Sequence, residues 1–382
     1  MSRSASRTVL GFVSDSVYPW NTGGKEKRHH ELLTRLTRRG YDVRVYTMKW
    51  WDGPSVVVRE GITYVAISPR LPLYSGTRRS VRQALVFAVC CLSLLWRRFD
   101  VLEVDSIPFL PLLPARVVAT VRRVPMVTTW HEFWGRDYWV RYLGLPGHLA
   151  AWVERTAIRL PHRIIAASDG TAERLHLAGE EGAVDVHVIP NGIDRTASVE
   201  PRSARRDGTE LISVGRLLEN KKIDLAVEAT HLSRTAGSPL TLRVIGEGPE
   251  EPALRRLVDD LGAHEAVTFS PFLEEHDDVL QAISDADLLV FPSVREGFGM
   301  VALEAMSVGT PVVTSDHPDN FARHLVEPGV NGELYSGTAE SLSDAIGRAL
   351  ERRDELGTQA LATAARFDWE ALADSAALAY RF

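Results

Sequence analysis

The run Arg295-Glu296-Gly297-Phe298-Gly299-Met300-Val301-Ala302-Leu303-Glu304, followed by a short helical stretch to Gly309 and the strand-like Pro311-Val312-Val313, decides the reading of this chain. It sets one carboxylate, Glu296, on a glycine-rich turn and a second, Glu304, a little over two helical turns further on. Gly297 and Gly299 let backbone N–H groups approach a ligand closely, and a helix opening there turns its positive end toward whatever binds. The pattern is a cradle for a diphosphate. Ionised carboxylates only accept hydrogen bonds, so a pair flanking the cradle suits hydroxyl donors on both sides of the phosphates, one on a sugar and one on a ribose. A nucleotide-sugar has that form. A helix with two exposed glutamates is common, so the spacing gains its weight from the glycines and from the strand Leu288-Leu289-Val290-Phe291-Pro292-Ser293 that leads into it.

Four other segments carry chemistry. Asn21-Thr22-Gly23-Gly24-Lys25-Glu26 is a glycine turn between a first strand and a first helix, where backbone amides can approach a phosphate. Gly215-Arg216-Leu217-Leu218-Glu219-Asn220-Lys221 follows a strand and offers a guanidinium fork and a point charge to a departing diphosphate. Thr128-Thr129-Trp130-His131-Glu132-Phe133-Trp134 lies at a strand end, where α/β folds gather functional side chains. Val244-Ile245-Gly246-Glu247-Gly248-Pro249-Glu250 supplies only G-x-G, with Pro249 suited to the first turn of a helix, which disfavours a nicotinamide dehydrogenase. Walker A, G-x-S-x-G and HExxH patterns are absent, as is an Asp-x-Asp where a metal-dependent transferase would carry it.

Taken together, EGFGMVALEAMSVGTPVV, Gly215-Arg216…Lys221, Gly23-Gly24, His131-Glu132 and Gly246-Glu247-Gly248 resemble the retaining, GT-B fold glycosyltransferases of family 4, over nearly the whole chain. The resemblance implies transfer of a sugar from a UDP- or GDP-sugar to an acceptor with retention of configuration, with no cofactor and no metal. It implies that Glu296 orients the sugar hydroxyls, that Phe298, Gly299 and Met300 supply backbone amides, and that Glu304 binds the ribose. Arg216 and Lys221 would stabilise the leaving diphosphate, Gly23, Gly24 and Gly215 would border the donor, and His131 would hydrogen-bond the transferring sugar. Lys25, His29, Trp130, Glu132 and Trp134 would line the acceptor side. His29 and His30 are consecutive on a helix and point apart, so they do not read as a metal pair. One departure stands out: after Val312–Ser315 many members have a Gly-Gly turn and a glutamate, whereas this chain has Asp316-His317-Pro318-Asp319-Asn320.

The fold class expected is α/β, GT-B, with two Rossmann-like doubly wound domains facing across a cleft. The first, 1–194, would bind the acceptor; its strands are expected at Val9–Val13, Val43–Met48, Val101–Val104, Met126–Thr129 and Arg163–Ala167, with a helix over Lys25–Arg39. A linker is expected at Arg195–Gly208. The second domain, 195–366, would bind the nucleotide-sugar, with strands Leu211–Val214, Thr241–Ile245, Ala266–Phe269 and Leu288–Phe291 and helices Asp224–Arg234, Pro249–Leu261 and Asp277–Ser284. Residues 367–382 resemble a helix that returns to the first domain.

Composition fits a protein of two domains, with 382 residues, 45% apolar and 25% charged. Cys90 and Cys91 are adjacent in an apolar run and can build neither a disulfide framework nor a metal site, which points to a reducing cytoplasm. The net charge of −6 hides a split. Met1–Arg195 holds 27 Lys and Arg against 18 Asp and Glu, and the remainder 17 against 32. A basic first half suits an anionic partner such as a membrane surface, a phosphorylated acceptor or a nucleic acid, or reflects two solvated domains that simply differ in surface charge; no nucleic-acid partner is expected. Ala84–Leu95, flanked by arginines, is too short to span a bilayer. It reads as a buried helix of the first domain, with partial contact at the inner membrane face as the alternative. The acceptor is then lipid-linked or a polysaccharide, or a small molecule stacked on Trp20, Trp50, Trp51, Trp130, Trp134 and Trp139. A nucleotide-sugar 2-epimerase of the same fold and a non-catalytic nucleotide-sugar binder are the rival readings.

Overall fold

The computed structural model describes residues 7–75, 78–179, 185–193, 208–273 and 275–382. The chain separates into two compact units, Met1–Asn191 with Trp369–Phe382, and Gly192–Asp368. The expected linker lies outside the described residues except for Gly208. No described helix is long and apolar enough to cross a membrane.

The first unit begins β1 (Val9–Val13), α1 (Gly24–Arg38), β2 (Asp42–Met48), β3 (Val56–Arg59), β4 (Ile62–Ser68) and the two-residue strands β5 (Tyr74–Ser75) and β6 (Arg78–Arg79). It continues through α2 (Val81–Cys90), a 3-10 turn (Cys91–Trp96), β7 (Val101–Asp105), α3 (Leu112–Arg122), β8 (Met126–Trp130), α4 (Gly135–Leu143), α5 (Gly147–Ala157), β9 (Arg163–Ala166), α6 (Asp169–Gly179) and β10 (Asp185–Val188). The sheet runs β10-β9-β8-β7-β1-β2-β4-β3 and is parallel except for the β3–β4 hairpin. Every residue of β1, β7 and β8 is buried, because helices cover both faces of a parallel sheet. On one face Leu10, Phe12 and Val45 pack under α1; on the other Val13, Leu102 and Met126 pack under α2, α3 and α5. β3, β4 and the β16 strand described below are elements the sequence reading did not assign.

The apolar run Ala84–Leu95 is only half buried, which corrects the expectation of a buried helix. Ala84, Phe87, Ala88, Cys91 and Leu94 face the sheet, whereas Leu85, Val89 and Leu92 are exposed.

The second unit contains β11 (Thr209–Val214), α7 (Ile223–Thr235), β12 (Leu240–Ile245), α8 (Glu251–Asp260), β13 (Val267–Ser270), α9 (His276–Asp285), β14 (Leu288–Phe291), α10 (Met300–Ser307), β15 (Val312–Ser315), β16 (Gly332–Tyr335), α11 (Ala339–Glu351) and α12 (Arg353–Ala364). Its sheet is parallel, in the order β13-β12-β11-β14-β15-β16. α8 starts later than expected: Pro249 stays outside it and Pro252 takes the first turn. The reason is the close passage of Gly248 over Leu217, where an added Cβ would lie 2.2 Å from the Leu217 carbonyl oxygen.

The last helix, α13 (Trp369–Ala379), belongs to the first unit. Trp369, Leu372 and Ala376 share a core with Leu32, Leu33 and Leu36 of α1. Arg39 pairs with Asp374 at 2.6 Å and Glu370 at 3.0 Å, and the Tyr380 hydroxyl donates to buried Glu103 at 2.6 Å. Burial pushes the Glu103 carboxyl up, and the hydroxyls of Thr129 and Tyr380 oppose the shift. Tyr380→Phe should therefore destabilise the first unit by about 1–3 kcal/mol, because it leaves a buried carboxyl short of one donor. Urea unfolding followed by tryptophan fluorescence measures this, and an unchanged midpoint would contradict the anchoring role.

Candidate functional site

In the first unit the strand order reverses between β1 and β7, and the residues following β1, β7 and β8 converge there, at the carboxyl ends of the strands. Lys25, in the first turn of α1, donates to Asp105 Oδ2 at 2.6 Å and to the Ile107 carbonyl at 3.2 Å, and pairs with Asp15 Oδ1 at 3.4 Å. Ser14 donates to the same Asp105 oxygen at 2.9 Å, and Arg79 pairs with Asp15 at 2.7 Å. Burial penalises the Lys25 charge, but Asp105 and Asp15 outweigh it and leave the pKa raised. Burial likewise penalises the Asp105 carboxylate, and Lys25, His131 and His29 outweigh that and leave it below the usual carboxylate range.

The Nε2 atoms of His29 and His131 lie 3.1 Å apart, and His131 Nε2 lies 3.6 Å from Asp105 Oδ1. Two imidazole nitrogens at that distance share one proton, so one ring donates and the other accepts. Burial pulls both pKa values down, to about 3 for His131, so both rings are neutral near pH 7. His30 stands apart, 3.5 Å from Glu60. His29, Asp105 and His131 are also the grouping among the described residues whose donor atoms, within 4.8 Å of one another, could hold a metal ion. The Lys25 ammonium already sets a cation on that carboxylate.

Gly23 precedes α1 in extended conformation, and a Cβ there would lie 2.3 Å from Glu26, whose side chain accepts from Ser16 at 2.6 Å. A Cβ on Gly24 would meet open space. Neighbouring protein atoms therefore do not require a glycine at Gly24, which leaves its backbone open to a ligand. Arg28, unanticipated from the sequence, is buried and ties α1 to the Ile189 and Pro190 carbonyls at 2.7 and 2.8 Å.

Two tryptophan expectations need correction, those for Trp130 and Trp51. Trp130 is fully buried, with its indole donating to Thr128 at 3.0 Å, so its side chain cannot line an acceptor. Trp51 is buried against Trp20. Trp134 packs on Trp139, and its indole donates to Glu132 at 2.8 Å while buried Glu154 accepts its backbone N–H, also at 2.8 Å.

The second unit repeats the arrangement, its strand order reversing between β11 and β14. Gly215 follows β11 at φ +146°, and the backbone of Gly246 presses on it so closely that a Cβ would lie 1.9 Å from the Gly215 oxygen. Arg216 is exposed, and Lys221 ends a short 3-10 turn (Glu219–Lys221) with its ammonium on Glu296 Oε1. Gly215, Arg216 and Lys221 line a small cavity with Ser213, Phe291 and Ser293. The hydroxyls of Ser213 and Ser293 are buried without a hydrogen-bond partner. Two orphaned hydroxyls beside a lysine and a glycine turn are poised for an anionic oxygen.

The divergent segment supports Glu296. The Glu296 N–H donates to the Asp319 carbonyl at 3.0 Å, and the Glu296 carbonyl accepts from Phe321 N–H at 3.0 Å. Buried Asn320 donates to Thr314 Oγ1 at 3.0 Å and the Ser315 carbonyl at 2.7 Å. Gly299, at φ +94°, opens α10, and a Cβ there would lie 2.4 Å from Ala322. The Phe298 side chain is buried against Phe367. Met300 begins α10, and Glu304 further along it lies 3.9 Å from His276.

Two doubly wound units, each with polar loops gathered at its switch point, are the parts of a GT-B glycosyltransferase. The family model for Glycosyl transferases group 1 matches residues 194–366 and that for Glycosyltransferase Family 4 matches residues 22–197, so the chain belongs to the family 4, group 1 glycosyltransferases. It is 29% identical over 401 residues to the glycogen synthase of Mycobacterium tuberculosis (strain ATCC 25618 / H37Rv), covering 96% of this chain and 93% of that protein. It is 34% identical over 259 residues to the D-inositol 3-phosphate glycosyltransferase of Frankia alni, covering 62% of each. In structure it resembles HepE of Anabaena in complex with UDP-glucose, with a TM-score of 0.71, 20% identity and 97% and 99% coverage.

The buried histidine pair makes stability depend on pH with a defined sign. Folded-state pKa values below the unfolded 6.5 leave full stability above about pH 6.5, lost as the pH falls toward the folded-state values, at about 1.4 kcal/mol per pH unit for each ring. The thermal midpoint should drop between pH 7 and pH 5, and His29→Gln should reduce that drop; equal drops in the two proteins would contradict a buried neutral pair.

Proposed function

We propose that the protein moves a sugar from a UDP- or GDP-sugar to an acceptor hydroxyl with retention of configuration and without a metal. The observation that carries this is the cavity at the β11–β14 reversal, where Lys221, Arg216, Gly215 and the unpartnered hydroxyls of Ser213 and Ser293 gather around one small space. That the similar HepE structure contains UDP-glucose supports a donor of this chemistry.

In this reading Arg216 and Lys221 neutralise the diphosphate as the glycosyl bond breaks, supplying the charge a metal would otherwise bring. Glu296, held by Lys221 and by the Asp319 and Phe321 backbone, accepts hydrogen bonds from the sugar hydroxyls, with amides from Phe298, Gly299 and Met300 beside it. Glu304 binds the ribose. The leaving diphosphate accepts the proton of the incoming hydroxyl, so no side chain need act as general base. His131, neutral beside His29, hydrogen-bonds the transferring sugar, and Gly24 leaves its amide open toward the donor. The packing of Trp20, Trp51, Trp130 and Trp134 against other protein groups weighs against a small acceptor stacked on them, and favours a lipid-linked or polysaccharide acceptor at the cytoplasmic membrane face.

Steady-state kinetics with the matching donor test the roles. Glu304→Ala should raise the donor KM about tenfold with kcat little changed, the mark of lost ground-state binding, and Arg216→Ala should lower kcat by about 100-fold or more. Activity should persist in EDTA, and NMR of the product should show the donor's anomeric configuration. Wild-type kinetics in both variants would sink the assignment, and an inverted product would sink the retaining mechanism.

A further inference from the structure

The helices covering one face of the first sheet carry more apolar surface than their packing uses. Val81, Leu85, Val89, Leu92 and Trp96, spaced three or four residues apart along α2 and its 3-10 turn, are 40–80% exposed. On the neighbouring α3, Leu113, Val117 and Val121 repeat every four residues and are 45–65% exposed. The alternate positions, Ala84, Phe87, Cys91 and Leu94 on the first and Leu112, Ala115, Val118 and Ala119 on the second, are buried in one core on the sheet side. Both stripes therefore face away from the sheet, side by side. Scattered exposed apolar residues need no explanation, but two parallel stripes on adjacent helices form a contiguous patch.

Charge selects what covers it. Neither α2, the 3-10 turn nor α3 contains an acidic residue. Arg82, Arg97, Arg98, Arg122 and Arg123 are exposed at its margins; exposed Asp100 beside them accepts the Val9 N–H at 2.8 Å, and Glu103 and Asp105 are buried. An apolar stripe edged by five exposed guanidinium groups against one exposed carboxylate matches a boundary of acyl chains beneath anionic headgroups, and Trp96 is the residue type that settles at that depth. A second copy of this face, with no acidic residue on either helix, would bring no negative charge to answer the arginines.

We infer that the outer face of α2, its 3-10 turn and α3 docks the protein on an anionic lipid surface. The inference deepens the lipid-side reading of the acceptor given above, but it uses no residue assigned to transfer, so it can fail while the transferase reading stands.

Sedimentation with sucrose-loaded vesicles tests it. The protein should pellet with vesicles of phosphatidylcholine and phosphatidylglycerol at least about fivefold more than with phosphatidylcholine alone, and 0.5 M NaCl should remove most of that difference. The double variant Val89→Ser with Trp96→Ser, both exposed, should lose pelleting while keeping the wild-type thermal midpoint. Arg82→Glu with Arg98→Glu should lose only the preference for the anionic vesicles. Failure of the wild type to pellet with anionic vesicles overturns the inference, as does pelleting unchanged in the serine double variant. A concentration-dependent dimer by light scattering that the serine double variant abolishes, without vesicle binding, also overturns it and assigns the face to a second copy.

Discussion

The reversal of strand order in a parallel sheet is the constraint on which the rest of the structure depends. A right-handed crossover from β11 to β12 puts α7 on one face, and the same hand from β14 to β15 puts α10 on the other. Neighbouring strands β11 and β14 thus send their chains apart at their carboxyl ends, and the loops Gly215–Lys221 and Pro292–Gly299 border the gap. The first unit does the same with α1 and α3 after β1 and β7. Each sheet therefore makes a polar crevice from backbone topology alone, and the side chains only decide what it holds.

Charge balance distinguishes the two crevices. Lys25, Asp15, Asp105 and Arg79 neutralise one another at the first crevice, and the neutral His29–His131 pair sits on that frame. In the second crevice Lys221 and Glu296 pair, while Arg216 stays exposed and two hydroxyls lack partners. The first network is nearly closed, as a positioning frame should be. The second retains unused polar capacity, as a site for an anionic ligand should.

Local pattern made most of the framework legible. β14 falls at Leu288–Phe291 as read, because four consecutive apolar residues bounded by Asp287 and Pro292 leave little freedom. Gly299 reads as a place of close backbone approach, and there, at positive φ, a Cβ would lie 2.4 Å from Ala322. Contacts distant in sequence were not legible. Asp105 ends a strand like many acids, and nothing near it reveals Lys25, 80 positions away. Trp130 misled because its place beside His131 at a strand end suggests a site, whereas β8 is buried along its whole length. The Ala84–Leu95 run misled for the opposite reason: apolar composition was taken for burial, although helix periodicity sends half of it outward. The Asp316–Asn320 segment, a departure from the family pattern, holds the Glu296 backbone through the Asp319 carbonyl, with Asn320 anchored on the Ser315 carbonyl.

The central claim is that the β11–β14 crevice binds the diphosphate of a nucleotide-sugar without a metal, and donor binding tests it most directly. The thermal midpoint should be measured with UDP, GDP, ADP and TDP and their common sugars in EDTA. The account predicts a clear rise with one nucleotide series, corresponding to a few kcal/mol, or about 3, at a hundredfold excess over Kd, and loss of that rise in Lys221→Ala. No rise with any of them, or a rise that survives Lys221→Ala undiminished, would contradict it.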